Sequence, residues 1–342
     1  MNGSDIHMGK SIGIDLGTAN TIIYVKGRGI VLREPSVVAV EARTRRVMAV
    51  GNEAKLMLGK TPGSITAMRP LKDGVIAEFD VTAAMLHHYY NKVAGPSIFS
   101  RPRVIICIPY GVTEVEKRAV QDVALEAGAQ SVALIEEPIA AAIGSGLKVA
   151  DARGSMIVDI GGGTTEVAVT SLGGIVLSSS LRSAGDEIDN AIVAYMKRKH
   201  NVLIGEMTAE MLKKNIGSVV PMADRGNMVI RGRNLLNGLP ATLAVTSAEV
   251  REAMSEQVSR IIDCIRTTLE NTPPELSSDI YDNGIMLAGG GALLSGLDLL
   301  IQQLTGIRTM IAKNPLDCVA MGIGKVIDSV GELNGIVNFR TR

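Results

Sequence analysis

An excess of charge of one sign is missing from this chain: 35 Lys and Arg are balanced by 35 Asp and Glu over 342 residues. A nucleic-acid surface normally needs a basic face to meet phosphate, so nucleic acid is excluded as the main partner. Membrane attraction through bulk charge is excluded with it. Cysteine is scarce as well. Cys107, Cys264 and Cys318 stand far apart in apolar runs and form neither a disulfide framework nor a metal-ligand cluster, which fits a reducing cytosol. No apolar run reaches the ~18–20 residues of a membrane span. The N-terminus lacks the basic start and apolar stretch of a signal peptide. Residues 1–8, MNGSDIHM, read as an expression scar before a native start at Met8. The chain is therefore expected in the cytosol.

Two familiar phosphate motifs are also missing. Gly9-Lys10-Ser11 and Gly59-Lys60-Thr61 resemble the end of a P-loop, but Ser4 and Ala54 stand where its first glycine belongs. No G-x-G-x-x-G opens a helix after a strand.

What is present is a duplication. Residues 11–32, SIGIDLGTANTIIYVKGRGIVL, match residues 155–177, SMIVDIGGGTTEVAVTSLGGIVL. Each has a β-branched run ending near an Asp, a Gly-rich turn with Thr, a second apolar run, a Gly turn and a third run. Asp15 and Asp159 correspond, as do Gly17 and Gly161. A fainter echo follows each copy. The strand run 104–109 precedes a helix with Thr113 and Glu116 as capping box, Val115, Ala119 and Val123 on one face, and Gly128 as its stop. AQSVALIEE then leads through Pro138 into IAAAIGSG, and IRTMIA leads through Pro315 into LDCVAMGIGK.

Strands alternating with helices in each half imply an α/β fold of two similar domains. The Ala/Gly-rich helices 139–146 and 316–325 lack bulk, can cross other backbones closely, and are expected to join the halves. The first core is expected over 9–36, 71–150 and 319–342 with an inserted subdomain at 37–70. The second is expected over 151–186 and 251–318 with an insertion at 187–250. The stripe Val250, Met254, Val258, Ile261, Ile265 and Leu269 has helical spacing and reads as core.

A tight turn after a strand exposes successive N–H groups, which bind phosphate. Three such turns occur: Gly17-Thr18-Ala19-Asn20, Gly161-Gly162-Gly163-Thr164 and Gly289-Gly290-Gly291-Ala292. Carboxylates beside phosphate repel it unless a divalent cation lies between. Mg²⁺ is commonly held by one or two carboxylates plus substrate phosphates. Asp15 and Asp159 therefore imply a Mg-nucleotide clasped by two hairpins, one from each domain.

IDLGTANT, LIEEPIAAAIG, VDIGGGTTEVAV, AGDEID and LAGGGALLSGL, with RPLKDGVIAEFDV, TPPELSSDI and NPLDCVAMG, resemble the MreB family of bacterial actins, in order and over essentially 9–330. The resemblance implies an actin-like (ribonuclease H-like) fold with ATP or ADP in the cleft between its two domains. It implies that Thr18, Ala19 and Asn20 form the first phosphate loop, and Gly162, Gly163 and Thr164 the second. Asp15 and Asp159 would hold Mg²⁺ through water. Gly185 and Asp186, from AGDEID, would also border the nucleotide. Gly290, Gly291, Ala292 and Leu293 would lie under the adenine, and Glu210 and Lys213 would reach ribose and base. Spacing alone reads that last pair as a surface ion pair. Glu137 would position the attacking water with help from Thr164. The plainer reading makes Glu137 a helix-start acid before Pro138. Asn314-Pro315 stands opposite it in the second half, so the repeat supplies one such acid. Asn20 occupies the region where eukaryotic actin carries a lysine, so the first loop's phosphate contact should be weaker or purely backbone.

The resemblance further implies slow ATP hydrolysis coupled to polymerisation, with antiparallel double filaments on the inner face of the membrane. The partners it implies are a RodZ-like adaptor and the cell-wall elongation machinery, in service of rod shape. The turn segment 95–102 carries adjacent Ile98 and Phe99, flanked by Lys92, Arg101 and Arg103, and is expected to insert in lipid. The other reading folds Ile98 and Phe99 onto Leu86 and Tyr90. A small-molecule kinase would use the same clasp but needs a sugar-binding subdomain, for which the insertions look small. A chaperone of this superfamily needs a substrate module that is not expected here.

Overall fold

The computed structural model describes residues 10–94, 101–329 and 339–341. Ile98 and Phe99 lie outside them, as does the presumed scar at 1–8. Contacts divide the chain into two units, residues 1–148 with 317–342, and residues 149–316.

The first unit opens with β1 (Ser11–Leu16), β2 (Asn20–Val25) and β3 (Gly29–Pro35). Its insertion holds β4 (Val38–Glu41), β5 (Val47–Val50), the single turn α1 (Asn52–Lys55) and β6 (Ile65–Met68). The small hairpin β7 (Leu71–Lys72) and β8 (Val75–Ile76) leads to α2 (Phe79–Ala94), β9 (Arg103–Ile108), α3 (Glu114–Glu126), β10 (Ser131–Glu136) and α4 (Glu137–Ser145). The second unit repeats the hairpins as β11 (Ser155–Ile160), β12 (Thr165–Ser171) and β13 (Gly174–Leu181). After α5 (Gly185–His200) come β14 (Val202–Leu203), α6 (Glu206–Ile216), β15 (Asn227–Asn234) and β16 (Pro240–Thr246). Then α7 (Ser247–Glu270) and α8 (Pro274–Asn283) precede β17 (Ile285–Ala288), α9 (Leu297–Thr305) and β18 (Thr309–Ile311). The chain returns to the first unit through α10 (Cys318–Asp328) and β19 (Phe339–Thr341).

The main sheets run β19-β10-β9-β1-β2-β3 and β13-β12-β11-β17-β18. Each contains a three-stranded antiparallel meander joined edge-on to two parallel strands, with β19 added antiparallel to β10 in the first, so the duplication seen in sequence is a duplication of topology. The insertions form separate three-stranded sheets, β5-β4-β6 and β14-β15-β16. The apolar runs fill two cores. One gathers Ile12, Ile14, Ile106, Leu86 and Tyr89, and the other gathers Val158, Ile192, Ile261, Ile265 and Leu287. The α7 stripe is buried from Val250 to Ile265, and Leu269 packs at its margin.

Local signals act where physics requires. Thr113 and Glu116 exchange both bonds of the capping box on α3, and Thr246 and Glu249 do the same on α7. The inward face of α3 differs from the expected one. Val115 is 79% exposed, while Val120, Val123 and Ala124 are buried, because a capping box leaves the first turn at the surface.

The helices expected to join the halves both belong to the first unit, where α4 and α10 cross each other. A Cβ on Gly144 would stand 1.7 Å from the Cys318 carbonyl oxygen, and one on Gly322 would stand 1.8 Å from that of Ala140. Those neighbours are backbone and cannot rotate away. Lys325 closes the crossing by donating to the Ile143 carbonyl at 2.7 Å. Gly322→Ala should therefore destabilise the protein by about 1–3 kcal/mol or more, as overpacking does. Denaturant unfolding reads this, and an unchanged midpoint would mean the helices have room to part.

Candidate functional site

In the first unit, β1 and β2 pair with Asp15 opposite Ile22, one residue before the turn. The Gly17 N–H donates to the Asn20 carbonyl at 3.1 Å. The carbonyls of the turn are tied back by one residue. Buried Ser36 donates its hydroxyl to Gly17 O at 2.6 Å and its N–H to Ala19 O at 3.0 Å. Thr18 Oγ accepts from the Gly74 N–H at 3.0 Å, which fixes the turn to the β7–β8 hairpin. Thr18 and Ala19 lie outside both strands, and their N–H groups meet no acceptor among the described residues. Such a turn presents donors and hides acceptors, the polarity an anion requires.

The second unit solves the same problem with other parts. Gly161 N–H donates to Thr164 O at 2.9 Å. Here the start of α5 ties back the carbonyls: the N–H groups of Gly185 and Asp186 donate to Gly161 O and Gly162 O at 3.2 and 2.8 Å. Gly185 and Asp186 are thus brought against the second turn. Asp159, opposite Glu166 on β12, is 7% exposed, and burial alone pushes its carboxyl up to about 7. The third turn packs on the same strand end. A Cβ on Gly289 would lie 2.3 Å from Asp159 Oδ1, and one on Gly291 would lie 2.2 Å from Ile160 Cγ2. These two glycines are therefore required by the protein's own strand, whatever else approaches them. Gly290–Leu293 forms a short 3₁₀ turn with Ala292 buried and Leu293 52% exposed.

Glu210 and Lys213 do not pair with each other. Glu210 meets Lys214 at 2.6 Å. Lys213 donates to Asp189 Oδ2 at 2.8 Å and to the Gly185 carbonyl at 2.7 Å. Burial raises Asp189 to about 6 against the downward pull of Lys213. Lys213 thereby fastens α6 to the helix start that holds the second turn. Its spacing from Glu210 gave no hint of this, because Asp189 and Gly185 are distant in sequence.

Sequence reasoning missed three residues. Ser36 and Asp189 act on backbone and on Lys213 as described. The third is Cys107, whose buried thiol lies 3.5 Å from Asp15 Oδ1 and 3.8 Å from Glu137 Oε1. Burial and the two carboxylates push the thiol well above its ordinary range. The structure thus brings Asp15 and Glu137 to one point of the first unit, and Asp159, Gly161–Thr164, Gly185 and Gly289 to one point of the second. The donor set suits a magnesium–polyphosphate: carboxylates for the cation, unclaimed amides for the anion. No group of three or more His, Cys, Asp or Glu among the described residues could hold a metal alone, so water and phosphate oxygens would have to complete its shell.

A family model described as MreB/Mbl protein matches residues 9–335. The cell shape-determining protein Mbl of Bacillus subtilis is 51% identical over 324 residues, covering 95% of this chain and 97% of that protein. The cell shape-determining protein MreB of Escherichia coli is 52% identical over 324 residues, covering 93% of each. Among solved structures, MreB5 of Spiroplasma citri bound to ADP superposes with a TM-score of 0.90 at 40% identity, over 95% of this chain and 99% of that one. The same protein bound to AMPPNP also gives 0.90. A MamK double helical filament gives 0.80 at 23% identity over 93% and 98%, a likeness that speaks to the fold.

The buried carboxylate of Asp159 has a pH signature of its own. Its folded pKa, about 7, lies above the unfolded 3.8, so between these values the native state keeps a proton that the unfolded state has released. Stability from this group is present at low pH and is lost as pH rises through about 7. In nucleotide-free protein with a chelator, Asp159→Asn should remove the dependence. The melting temperature of the variant minus that of wild type should rise between about pH 4 and pH 7, with at most about 4 kcal/mol behind it. A pH-independent difference would show that Asp159 titrates normally.

Proposed function

The chain belongs to the MreB/Mbl family, and on that footing we propose that it is an ATP-binding cytoskeletal protein that polymerises into membrane-associated filaments and organises wall synthesis in rod-shaped cells. Its fold is actin-like, as the match to the MreB5 structures shows. The observation that carries the nucleotide reading is the paired hairpin turn. Two copies of one turn keep their amides unclaimed, and each is tied back by a different segment. A purely structural hairpin needs no such device. Relatives solved with ADP and AMPPNP point the same way.

On this reading Thr18, Ala19, Gly162, Gly163 and Thr164 bind phosphate through backbone N–H groups. Asp15 and Asp159 would hold Mg²⁺ through water, and the ion would supply neutralisation of phosphate charge. Gly185 keeps the second turn in shape while Lys213 holds Gly185. Glu137, the first residue of α4 and just ahead of Pro138, accepts a hydrogen bond from the attacking water and orients it. Thr164 assists from the other turn. Hydrolysis is slow and coupled to assembly.

Polymerisation rests on family membership: relatives at half identity over nearly the whole length are named for determining cell shape. Identical asymmetric subunits stacked head to tail give an open filament when the contact does not close into a ring. Antiparallel pairing of protofilaments, a RodZ-like adaptor and the elongation machinery as partners follow from the same resemblance. In ultracentrifugation the wild type should pellet with Mg-ATP. Asp15→Ala and Asp159→Ala should each stay in the supernatant, folded but without Mg-ATP binding in calorimetry. Near-normal affinity in either variant would defeat the paired-turn clasp.

Membrane attachment is proposed for Ile98 and Phe99 on sequence grounds. No helix among the described residues is long and apolar enough to cross a membrane, so attachment would be peripheral. Lys92, expected to face headgroups, is paired with Glu34 at 2.6 Å. The apolar pair therefore carries more of the affinity, roughly 1.5–3 kcal/mol per side chain, multiplied along a filament. In liposome flotation, filaments of Ile98→Ser/Phe99→Ser should remain at the bottom. Flotation equal to wild type would refute the loop as an anchor.

A further inference from the structure

The sheet order puts β9 between β1 and β10. The parallel pairings run Ile14 beside Ile106 on one side and Ile135 beside Cys107 on the other. Cys107 is thus the residue of the central strand level with Asp15, one step below the point where β10 passes into Glu137. Its thiol reaches both carboxylates, at 3.5 and 3.8 Å. It is buried, and its S–H is the donor toward both. An ionised carboxylate only accepts, and a protonated thiol is a weak donor. One S–H therefore serves two acceptors.

The second unit gives an internal control. There Asp159 pairs with Ala288, the place that Cys107 holds beside Asp15. Asn314-Pro315 stands where the first unit has Glu137-Pro138. The repeat that lacks the acid also lacks the thiol. Packing alone does not predict this, since both strand ends are buried and a small residue fills the second.

We propose that Cys107 is a positioning residue for ATP hydrolysis, its S–H restraining the Glu137 carboxylate while linking it to Asp15. The proposal rests on the reading of Glu137 as the group that orients water. A weak donor suits the task. It limits rotation of the Glu137 side chain without neutralising the carboxylate, as a stronger donor such as lysine would. It also joins the acid to the carboxylate assigned to the cation, so that the two are set at a fixed separation.

The test uses the full chain with four variants: Cys107→Ser, Cys107→Val, Glu137→Ala and the double variant Cys107→Val/Glu137→Ala. Mg-ATP affinity is read by calorimetry, and phosphate release is read per polymerised subunit. Cys107→Val fills the space without a donor, so affinity should stay within about 3-fold while the hydrolysis rate falls about 5–10-fold, a typical consequence of a displaced catalytic group. Cys107→Ser restores a donor and should recover the rate to within about 3-fold. The double variant should be no slower than Glu137→Ala, because a residue acting through another adds nothing once that one is gone. Cys107→Val hydrolysing at the wild-type rate, or Cys107→Ser as slow as Cys107→Val, overturns the proposal while leaving Glu137 in its role. A wild-type rate in Glu137→Ala instead overturns the underlying reading of the acid, and the proposal with it.

A second readout needs neither turnover nor a packed Val. With Cys264 and Cys318 replaced by Ala, the infrared S–H stretching band of nucleotide-free protein reports Cys107 alone. It should lie below the frequency of a free thiol and move upward in Glu137→Ala. A band unchanged by loss of Glu137 would show that the thiol does not donate to it.

Discussion

Antiparallel pairing at the ends of β1 and β11 is the constraint from which the chemistry of this molecule follows. In each unit it stops one residue after an aspartate, and the chain must then reverse within a few residues. Reversal so close to a carboxylate leaves turn amides and the acid on neighbouring atoms. A backbone turn has as many acceptors as donors, however, and an unmodified one would repel an anion as readily as attract it. The structure resolves this by consuming the carbonyls. Ser36 takes two of them in the first unit, and the backbone start of α5 takes two in the second. The duplicated strands thus set the place, and two unrelated segments set its polarity.

That division explains what could be read in the chain beforehand. The meander, its repeat, the α7 stripe and both capping boxes depend on residues near one another in sequence, and their periodicity shows. The sites of Asp15, Asp159 and the Gly turns were visible for the same reason. Ser36, Cys107 and Asp189 were not, because each acts through a contact fixed by sheet register or by the packing of one helix on another. Glu210 and Lys213 illustrate the failure from the opposite side: helical spacing suggested a mutual pair, yet Glu210 takes Lys214 one turn on in the same helix and Lys213 is claimed by Asp189 and Gly185 of α5. Val115 fell on the predicted face of α3 but sits in its capped first turn, where solvent competes. Repetition was informative about what the units share and silent about how each finishes its turn.

The differences between the units are as instructive as the likeness. Asp15 is half-buried and keeps company with a thiol, while Asp159 is buried beside Ala288 and a turn of three glycines. Two aspartates in matching positions thereby meet different surroundings, and burial pushes the second up to about 7. One half sets an acid beside a thiol, and the other is given over to close backbone packing.

The crossing of α4 and α10 has a mechanical meaning. Most helix contacts are cushioned by side chains, whose rotamers yield when one partner moves. Here Gly144 meets the Cys318 carbonyl and Gly322 meets that of Ala140, and peptide planes have no such freedom. The contact has almost no compliance. A small displacement of α10 is handed to α4 undiminished and arrives at its first residue, Glu137, where a fraction of an ångström changes which atom a water can reach. The chain's return segment and the acid proposed to orient water are therefore two ends of one stiff contact.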